Sequence, residues 1–214
     1  LTRTPRGRCV TPLACEHLKI HNVKIIGCWR FNSDGIDIDA SRNVTVSNCI
    51  INTGDDAITL RACEQKLKNK NMTCEDVVIT NCVLSTGICA FRIGVGIGTI
   101  KRARISNITV KMAQNLVQFC TAYLNIGKAN ISDVNFSNIS ATNTDRLIEA
   151  FANNETYIKD ISMQNIKTTS TMANYLDAIN GVIDNINFKD IEIEYFDRAT
   201  NLSENNLKER GNTL

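Results

Sequence analysis

The chain has 214 residues, 43% of them hydrophobic, and its 24 basic and 22 acidic side chains leave a formal net charge of +2. This balance argues against a nucleic-acid-binding surface, which needs a clear basic excess, and no run of about eighteen apolar residues is present to span a membrane. With 2 prolines and 11 glycines, the composition is that of a folded domain and not of a disordered or collagen-like chain.

One short pattern recurs along the chain as apolar-x-apolar-x-Asn-apolar-x-apolar, in segments such as "VTVSNCII" and "ARISNITV". Alternation with period two predicts strands, and the change of parity after the Asn predicts a bend, because Asn tolerates the left-handed conformation. Successive copies are 25 to 33 residues apart. Their anchor residues are Asn22, Asn48, Asn81, Asn107, Asn138, Asn165 and Asp190.

This repeat predicts an all-β fold, a right-handed parallel β-helix (a solenoid) of about seven coils. Stacked at one bend, the anchor Asn side chains are expected to form a ladder that satisfies buried polar groups. We expect residues 1–195 to form a single β-helix domain and residues 196–214 to form a polar C-terminal tail.

The segment "FNSDGIDIDASRNVTVSNCIINTGDDAITL" (residues 31–60) crowds aspartates between regularly spaced β-branched residues. Aligning "SDGIDI" on "DDAITL" puts Asp34 one coil below Asp56, and coils of a β-helix stack about 4.8 Å apart. Asp34, Asp55 and Asp56 are therefore predicted to meet at the edge of one exposed sheet, in line with Arg92 in the coil above.

Carboxylates crowded in this way repel one another, which raises the pKa of at least one of them. The residues alone leave three uses open. The cluster can catalyse glycoside hydrolysis, with one carboxyl as proton donor and another activating water. It can bind a hard cation such as calcium through oxygen ligands. It can also be an aspartate ladder that only caps turns.

The cysteines divide by position, and the spacing of the 9 fits no zinc site. Cys49 and Cys82 each follow an anchor Asn and are predicted to be small buried residues. Cys63 and Cys74 bracket the polar segment "EQKLKNKNMT" and either close it with a disulfide or remain free thiols.

Counting from each anchor Asn predicts the face of the following strand. Residues ten and twelve positions later are apolar and are expected to point inward. Residues eleven positions later are polar and are expected to face outward. That outward column consists of Thr59, Arg92, Gln118 and Glu149, with Asp37 one coil below Thr59.

The two acidic motifs, "NSDGIDI" and, 21 residues later, "GDDAI", resemble those of the polygalacturonase-like glycoside hydrolases, family 28. The family's motifs read Asn-Thr-Asp-Gly-Ile-Asp and Gly-Asp-Asp, and its members are right-handed parallel β-helices. The resemblance implies a secreted or periplasmic glycosidase that is a monomer and acts on a pectin-type or related polysaccharide without a cofactor or metal.

Carried over by position, the resemblance makes Asp55 the general acid and makes Asp34 and Asp56 the bases that hold the attacking water. It implies inversion at the anomeric carbon, for which the carboxyl groups are expected to lie about 6.5–9.5 Å apart. Arg92, Gln118, Asp37 and Glu149 are then the candidate substrate-binding residues. For Arg92 the alternative is a surface ion pair with Asp37 or Glu149.

Two family motifs are missing. "GICAFRIGVGIG" lacks the expected Gly-His-Gly, and "NLVQFCTAY" lacks the Arg-Ile-Lys that grips a uronate carboxylate. A neutral or differently charged glycoside, or a family member of altered specificity, therefore fits better than plain polygalacturonate. Two other functions stay open: a non-catalytic carbohydrate-binding β-helix, and a calcium-dependent polysaccharide lyase. Only about thirty residues precede Asp34, so we expect a divergent form or a piece of a longer β-helix.

Overall fold

The computed structural model describes residues 2–4, 7–9, 15–63, 72–123, 127–153 and 155–196, and the regular structure within them consists of sixteen β-strands. In chain order the strands are β1 Thr2–Thr4, β2 Gly7–Cys9, β3 Lys19–His21, β4 Lys24–Cys28, β5 Ile36–Asp39, β6 Arg42–Ser47, β7 Ile50–Thr53, β8 Ile58–Ala62, β9 Thr73–Thr86, β10 Cys89–Gly96, β11 Thr99–Cys120, β12 Asn130–Ala141, β13 Thr144–Phe151, β14 Tyr157–Ser170, β15 Tyr175–Asp177 and β16 Val182–Tyr195.

These strands stack in parallel into a right-handed β-helix, apart from the antiparallel hairpin of β1 and β2. Strands that bend at the anchor Asn form seven successive layers, which we call the bent wall: β3 with β4, β6 with β7, β9, β11, β12, β14 and β16. A second series, the site wall, consists of β5, β8, β10, the end of β11, β13 and β15. The predicted fold and coil number are confirmed.

Each coil bends at two left-handed residues, of which the sequence pattern revealed one. All seven anchor residues have φ between 51° and 56°. A second column, five positions earlier, has φ between 52° and 57°. Its members are His17, Asn43, Asp76, Arg102, Asp133, Asp160 and Asn185. His and Arg interrupt the Asn/Asp pattern there, which hides this bend from the sequence.

Asn107, Asn138 and Asn165 form the predicted ladder, but it lies on the exposed surface, whereas it was expected to satisfy buried polar groups. Asn138 Nδ2 donates to Asn107 Oδ1 at 3.2 Å, and Asn165 Nδ2 donates to Asn138 Oδ1 at 2.8 Å. All seven anchor side chains are exposed. The residue at each bend stands on the convex corner between two strands, so its side chain points to solvent while its neighbours point into the core.

The interior is a column of apolar side chains in register. Phe91, Phe119 and Phe136 are fully buried, and both other rings meet Phe136 edge-on, at centroid distances of 5.7 and 6.2 Å. The register pairs Ile58 with Phe91 and Phe91 with Val117, which confirms the predicted inward columns.

Seven cysteines of the described coils are free thiols: Cys28, Cys49, Cys63, Cys74, Cys82, Cys89 and Cys120. Cys49 and Cys82 are buried, as predicted. Cys63 Sγ lies 3.6 Å from the Val95 carbonyl oxygen and Cys74 Sγ lies 3.7 Å from that of Ile38, so the disulfide alternative is not realised.

Two further expectations concern the ends of the domain and the membrane. The last strand, β16, ends at Tyr195, and the predicted tail lies outside the described residues except for Phe196. Within the described residues, no helix is long and apolar enough to cross a membrane.

We expect Asn138→Val to lower the free energy of unfolding by about 1–2 kcal/mol, because a β-branched residue is strained at positive φ. Asn138→Gly keeps the conformation and loses only exposed ladder hydrogen bonds, so its loss should be smaller. Ser140→Val, at an exposed position in the same strand, is the matched control. Urea midpoints measure the series, and equal midpoints for Asn138→Val and Ser140→Val would contradict the role of the bend.

Candidate active site

The acidic cluster forms where two successive coils enter the site wall. Gly35 N donates to Asp56 O at 2.9 Å, which puts Asp34 one coil below Asp56 as predicted. One carboxylate oxygen each from Asp34, Asp55 and Asp56 lies within 4.8 Å of the others. A Cβ on Gly35 would lie 2.3 Å from Ala57 O, so this close stacking requires glycine after Asp34.

The separation of the carboxylates differs from the expectation. Oxygens within 4.8 Å of one another are closer than the roughly 6.5–9.5 Å expected for an inverting pair. The reason is the register itself, because Asp55 and Asp56 are sequence neighbours and Asp34 lies only one coil away, at the spacing of paired strands.

Burial and the repulsion between carboxylates raise the pKa values of Asp34 and Asp56. The pKa of Asp34 is raised to about 7, chiefly by burial and then by the negative charges of Asp37, Asp56 and Asp55. Burial also raises the pKa of Asp56, against the opposing effect of Arg92. Near neutral pH the cluster can therefore retain a proton on Asp34, which an isolated aspartate would have lost.

Asp56 is anchored on both oxygens. Cys89 N donates to its Oδ1 at 3.2 Å, and Arg92 Nε donates to its Oδ2. The Arg92 guanidinium also lies 5.7 Å from the centroid of the Tyr123 ring. Arg92 thus pairs with Asp56, and the predicted alternative of an ion pair with Asp37 or Glu149 is wrong.

A chain of polar contacts extends from Asp56 across the successive coils of the site wall. Arg92 Nη1 donates to Gln118 Oε1, and Gln118 Nε2 donates to Glu149 Oε2. Arg146 Nη1 closes the chain by donating to Glu149 Oε1. The pairing of Thr59 with Arg92, Arg92 with Gln118 and Gln118 with Glu149 confirms the predicted column, but Thr59 is only 2% exposed and does not face solvent as expected.

Asp37 occupies the lower end of the same column. It is 4% exposed and accepts hydrogen bonds from Thr59 Oγ1 and from Arg61 Nη1, the latter at 3.0 Å. Both oxygens are therefore engaged within the protein. A direct contact between Asp37 and substrate stays a prediction.

Three residues of this network were missed from the sequence: Arg61, Arg146 and Asn115, whose Nδ2 donates to Glu149 at 3.1 Å. Arg61 follows Thr59 by two positions and so faces the same side of the strand, a signal that the period-two pattern contained. Arg146 and Asn115 each lie eight positions after an anchor Asn, just before the apolar residues of the site wall, where the repeat has no fixed residue type.

The cluster also has the oxygen ligands that calcium prefers. Arg92 already neutralises Asp56 and bonds to one of its oxygens, so a divalent cation using that oxygen would displace a guanidinium. This arrangement favours acid–base chemistry over the calcium-dependent lyase alternative.

Comparison with known proteins agrees with this fold. Residues 8–211 match the family model of Glycosyl hydrolases family 28. The chain belongs to glycoside hydrolase family 28. Among solved structures, the exopolygalacturonase of Thermotoga maritima matches at 15% identity and a TM-score of 0.61, covering 87% of this chain and 49% of that one. The family 28 exopolygalacturonase of Yersinia enterocolitica has a TM-score of 0.56 at 13% identity, with coverages of 86% and 42%.

Curated relatives are more similar in sequence over shorter stretches. "Alpha-L-rhamnosidase rgxB" of Aspergillus niger is 32% identical over 116 residues, which are 50% of this chain and 24% of that protein. "Polygalacturonase 1" of Penicillium olsonii is 28% identical over 120 residues, 52% of this chain and 28% of the relative. The family 28 chain described here thus spans about a quarter of the length of these relatives.

We expect Asp34→Asn to be more stable than the wild type at pH 8, by about 2 kcal/mol after discounting for solvent screening. The folded-state pKa of Asp34 is raised from 3.8 to about 7, so stability from this group is full below pH 3.8 and is lost as the pH rises through 7. Urea midpoints at pH 4 and pH 8 measure the difference.

The exposed Asp184, in the last coil, provides the control variant Asp184→Asn. If Asp34→Asn were more stable than the wild type by the same amount at pH 4 and pH 8, this result would contradict the raised pKa of Asp34.

Proposed function

We propose that this chain carries the catalytic centre of a glycoside hydrolase that cleaves a pectin-type polysaccharide. The observation that carries the proposal is the convergence of Asp34, Asp55 and Asp56 within 4.8 Å on a family 28 β-helix. The raised pKa of Asp34 adds the second requirement, a carboxyl proton available near neutral pH.

In the proposed mechanism Asp55 protonates the leaving oxygen while Asp34 and Asp56 orient the attacking water. Arg92 and Cys89 N hold Asp56 in one orientation, as a base needs. The proton that Asp34 retains near neutral pH must first pass to Asp55, whose carboxylate oxygen lies within 4.8 Å of that of Asp34, and this transfer leaves Asp34 ionised as a base. Asp55 is fixed in turn by Asn32 N, which donates to its Oδ2 at 3.0 Å.

For the substrate we propose a pectic chain that is cleaved at a neutral or weakly charged sugar. Arg92, the cation nearest the cluster, is engaged by Asp56 and Gln118, which leaves less of it to bind a uronate carboxylate. The similarity to an α-L-rhamnosidase, beside those to polygalacturonases, supports this choice. Because such substrates are cell-wall polysaccharides, we propose an extracellular or periplasmic location.

A second candidate is a non-catalytic carbohydrate-binding β-helix. The specific observation in its favour is the ion pair between Arg92 and Asp56, which occupies a carboxylate that hydrolysis requires as a base. The experiment on Asp55 separates the two functions.

We expect Asp55→Asn to lower the release of reducing ends from pectic oligosaccharides by about 10²–10⁴-fold, the usual contribution of a general acid. The loss should be much smaller on a nitrophenyl glycoside, because its leaving group needs little protonation. Asp184→Asn is the control for folding and charge. Equal losses of activity on both substrates would show that Asp55 is not the general acid. A well-folded wild type that cleaves no substrate would favour the carbohydrate-binding function.

We also propose that hydrolysis inverts the anomeric configuration. At the observed spacing, water must lie directly between two of the carboxylates and not in a wider gap. Proton NMR of the first product formed, recorded before mutarotation, should show the anomer opposite to that of the substrate linkage. A product with the substrate's configuration would overturn inversion and would match the shorter separation typical of retaining enzymes.

A further inference from the structure

Two aromatic side chains stand exposed immediately before the first catalytic aspartate. Phe31 is 87% exposed, the highest value among the large hydrophobic residues of the described chain, and Trp29 is 49% exposed. Single exposed apolar residues are common on protein surfaces. Packing in the core does not explain two exposed aromatic rings beside an acidic cluster.

The loop that carries these rings is fastened to the turn that carries Asp55. Gly54 N donates to Cys28 O at 2.7 Å, Asn32 N donates to Asp55 Oδ2 at 3.0 Å, and Asp55 N donates to Ser33 O at 3.4 Å. These bonds lie at both ends of the loop and in its middle. The loop position relative to Asp55 is therefore set by backbone contacts and not by the aromatic side chains.

Close packing at Gly54 reinforces this attachment. A Cβ at Gly54 would lie 2.9 Å from the carbonyl carbon of Trp29 and 2.9 Å from Arg30 O, so the two backbones touch. Inside the loop, Arg30 N donates to the buried Ser33 Oγ at 3.1 Å. A rigid loop that holds exposed aromatic rings suits recognition, since little conformational freedom is lost on binding.

A sugar bound at Asp55 therefore comes close to this loop, because the backbone that precedes Asn32 carries Phe31. Pyranose rings present a face of C–H bonds that packs on the electron-rich face of an aromatic ring. Ligand sites commonly join such apolar surfaces to a few fixed polar groups, here the three carboxylates.

We propose that Phe31 and Trp29 form a stacking platform for the pyranose ring of the sugar residue bound beside Asp55. This inference rests on the proposed function for the location of the substrate, and it adds the residues that hold the ring against the acidic cluster. The occupant is a carbohydrate ring and not a protein surface, because the platform is continuous with the carboxylates through Asn32.

Trp29 is the only tryptophan of the 214 residues, so intrinsic fluorescence reports directly on this loop. The probes are galacturonic acid oligomers of three to six residues and rhamnose-containing pectic oligosaccharides. We expect a saturable change in Trp29 emission in the wild type and in Asp55→Asn. In Phe31→Ala the dissociation constant should rise about tenfold, the loss of one ring contact.

Kinetics provide the second readout. Phe31→Ala should raise KM about tenfold and change kcat little, because stacking contributes equally to substrate and transition state. Its exposure makes the substitution harmless to folding, and Phe188→Ala, at a 47% exposed phenylalanine in the last coil, is the matched control.

The outcomes separate the platform from the hydrolysis. Hydrolysis with unchanged KM and unchanged Trp29 titration in Phe31→Ala would overturn the platform and leave the proposed function standing. A Trp29 response that weakens in Phe31→Ala, with no substrate cleaved, would support the platform and overturn hydrolysis. The absence of any Trp29 response in the wild type with all probes would overturn the platform.

Discussion

Parallel hydrogen bonds between successive coils hold this protein together, and they also place its chemical groups. Each coil repeats the backbone path of the one below, so residues 22 to 34 positions apart in the chain become direct neighbours on the wall. The repeat depends on two left-handed bends per coil, and each bend keeps the next strand in register. A slip of one residue would turn Arg92 inward and Phe91 outward, which the buried core forbids.

The acidic cluster lowers the stability of the folded β-helix. Three carboxylates within 4.8 Å repel one another and lose hydration, and both effects favour a bound proton. Arg92 offsets part of the cost by pairing with Asp56, and Gln118 and Glu149 extend that compensation up the wall. Removing one member of such a buried network leaves another charge unpaired. The network therefore fixes the positions of its side chains more than it increases the free energy of unfolding.

The polar column organises the site although the sequence lacks the expected Gly-His-Gly and Arg-Ile-Lys motifs. Cys89 N and Arg92 hold Asp56, and Gln118 links Arg92 to Glu149. The wall presents hydrogen-bonding groups where polygalacturonate would need free positive charge. Under the proposed function, substrate selection would depend more on shape and stacking than on charge.

Much of the fold could be predicted from the sequence, because residues that lie one repeat apart in a solenoid sequence become neighbours in the structure. The period and parity of the repeat predicted the coils, the inward columns, and the column of Thr59, Arg92, Gln118 and Glu149. They also predicted that Asp34 would lie below Asp56. These features depend only on backbone register, which a regular pattern specifies.

The tertiary structure decided what register leaves open. It determined that Arg92 turns to Asp56 and not to Asp37 or Glu149, since a long side chain reaches several rungs and its partner depends on local charge and burial. It placed the Asn ladder outside, because the convexity of a bend is a three-dimensional property. The chain sequence alone determined which residues share a coil edge; only the packed coils determined their distances, partners and protonation, because these depend on side-chain conformation and on exclusion of water.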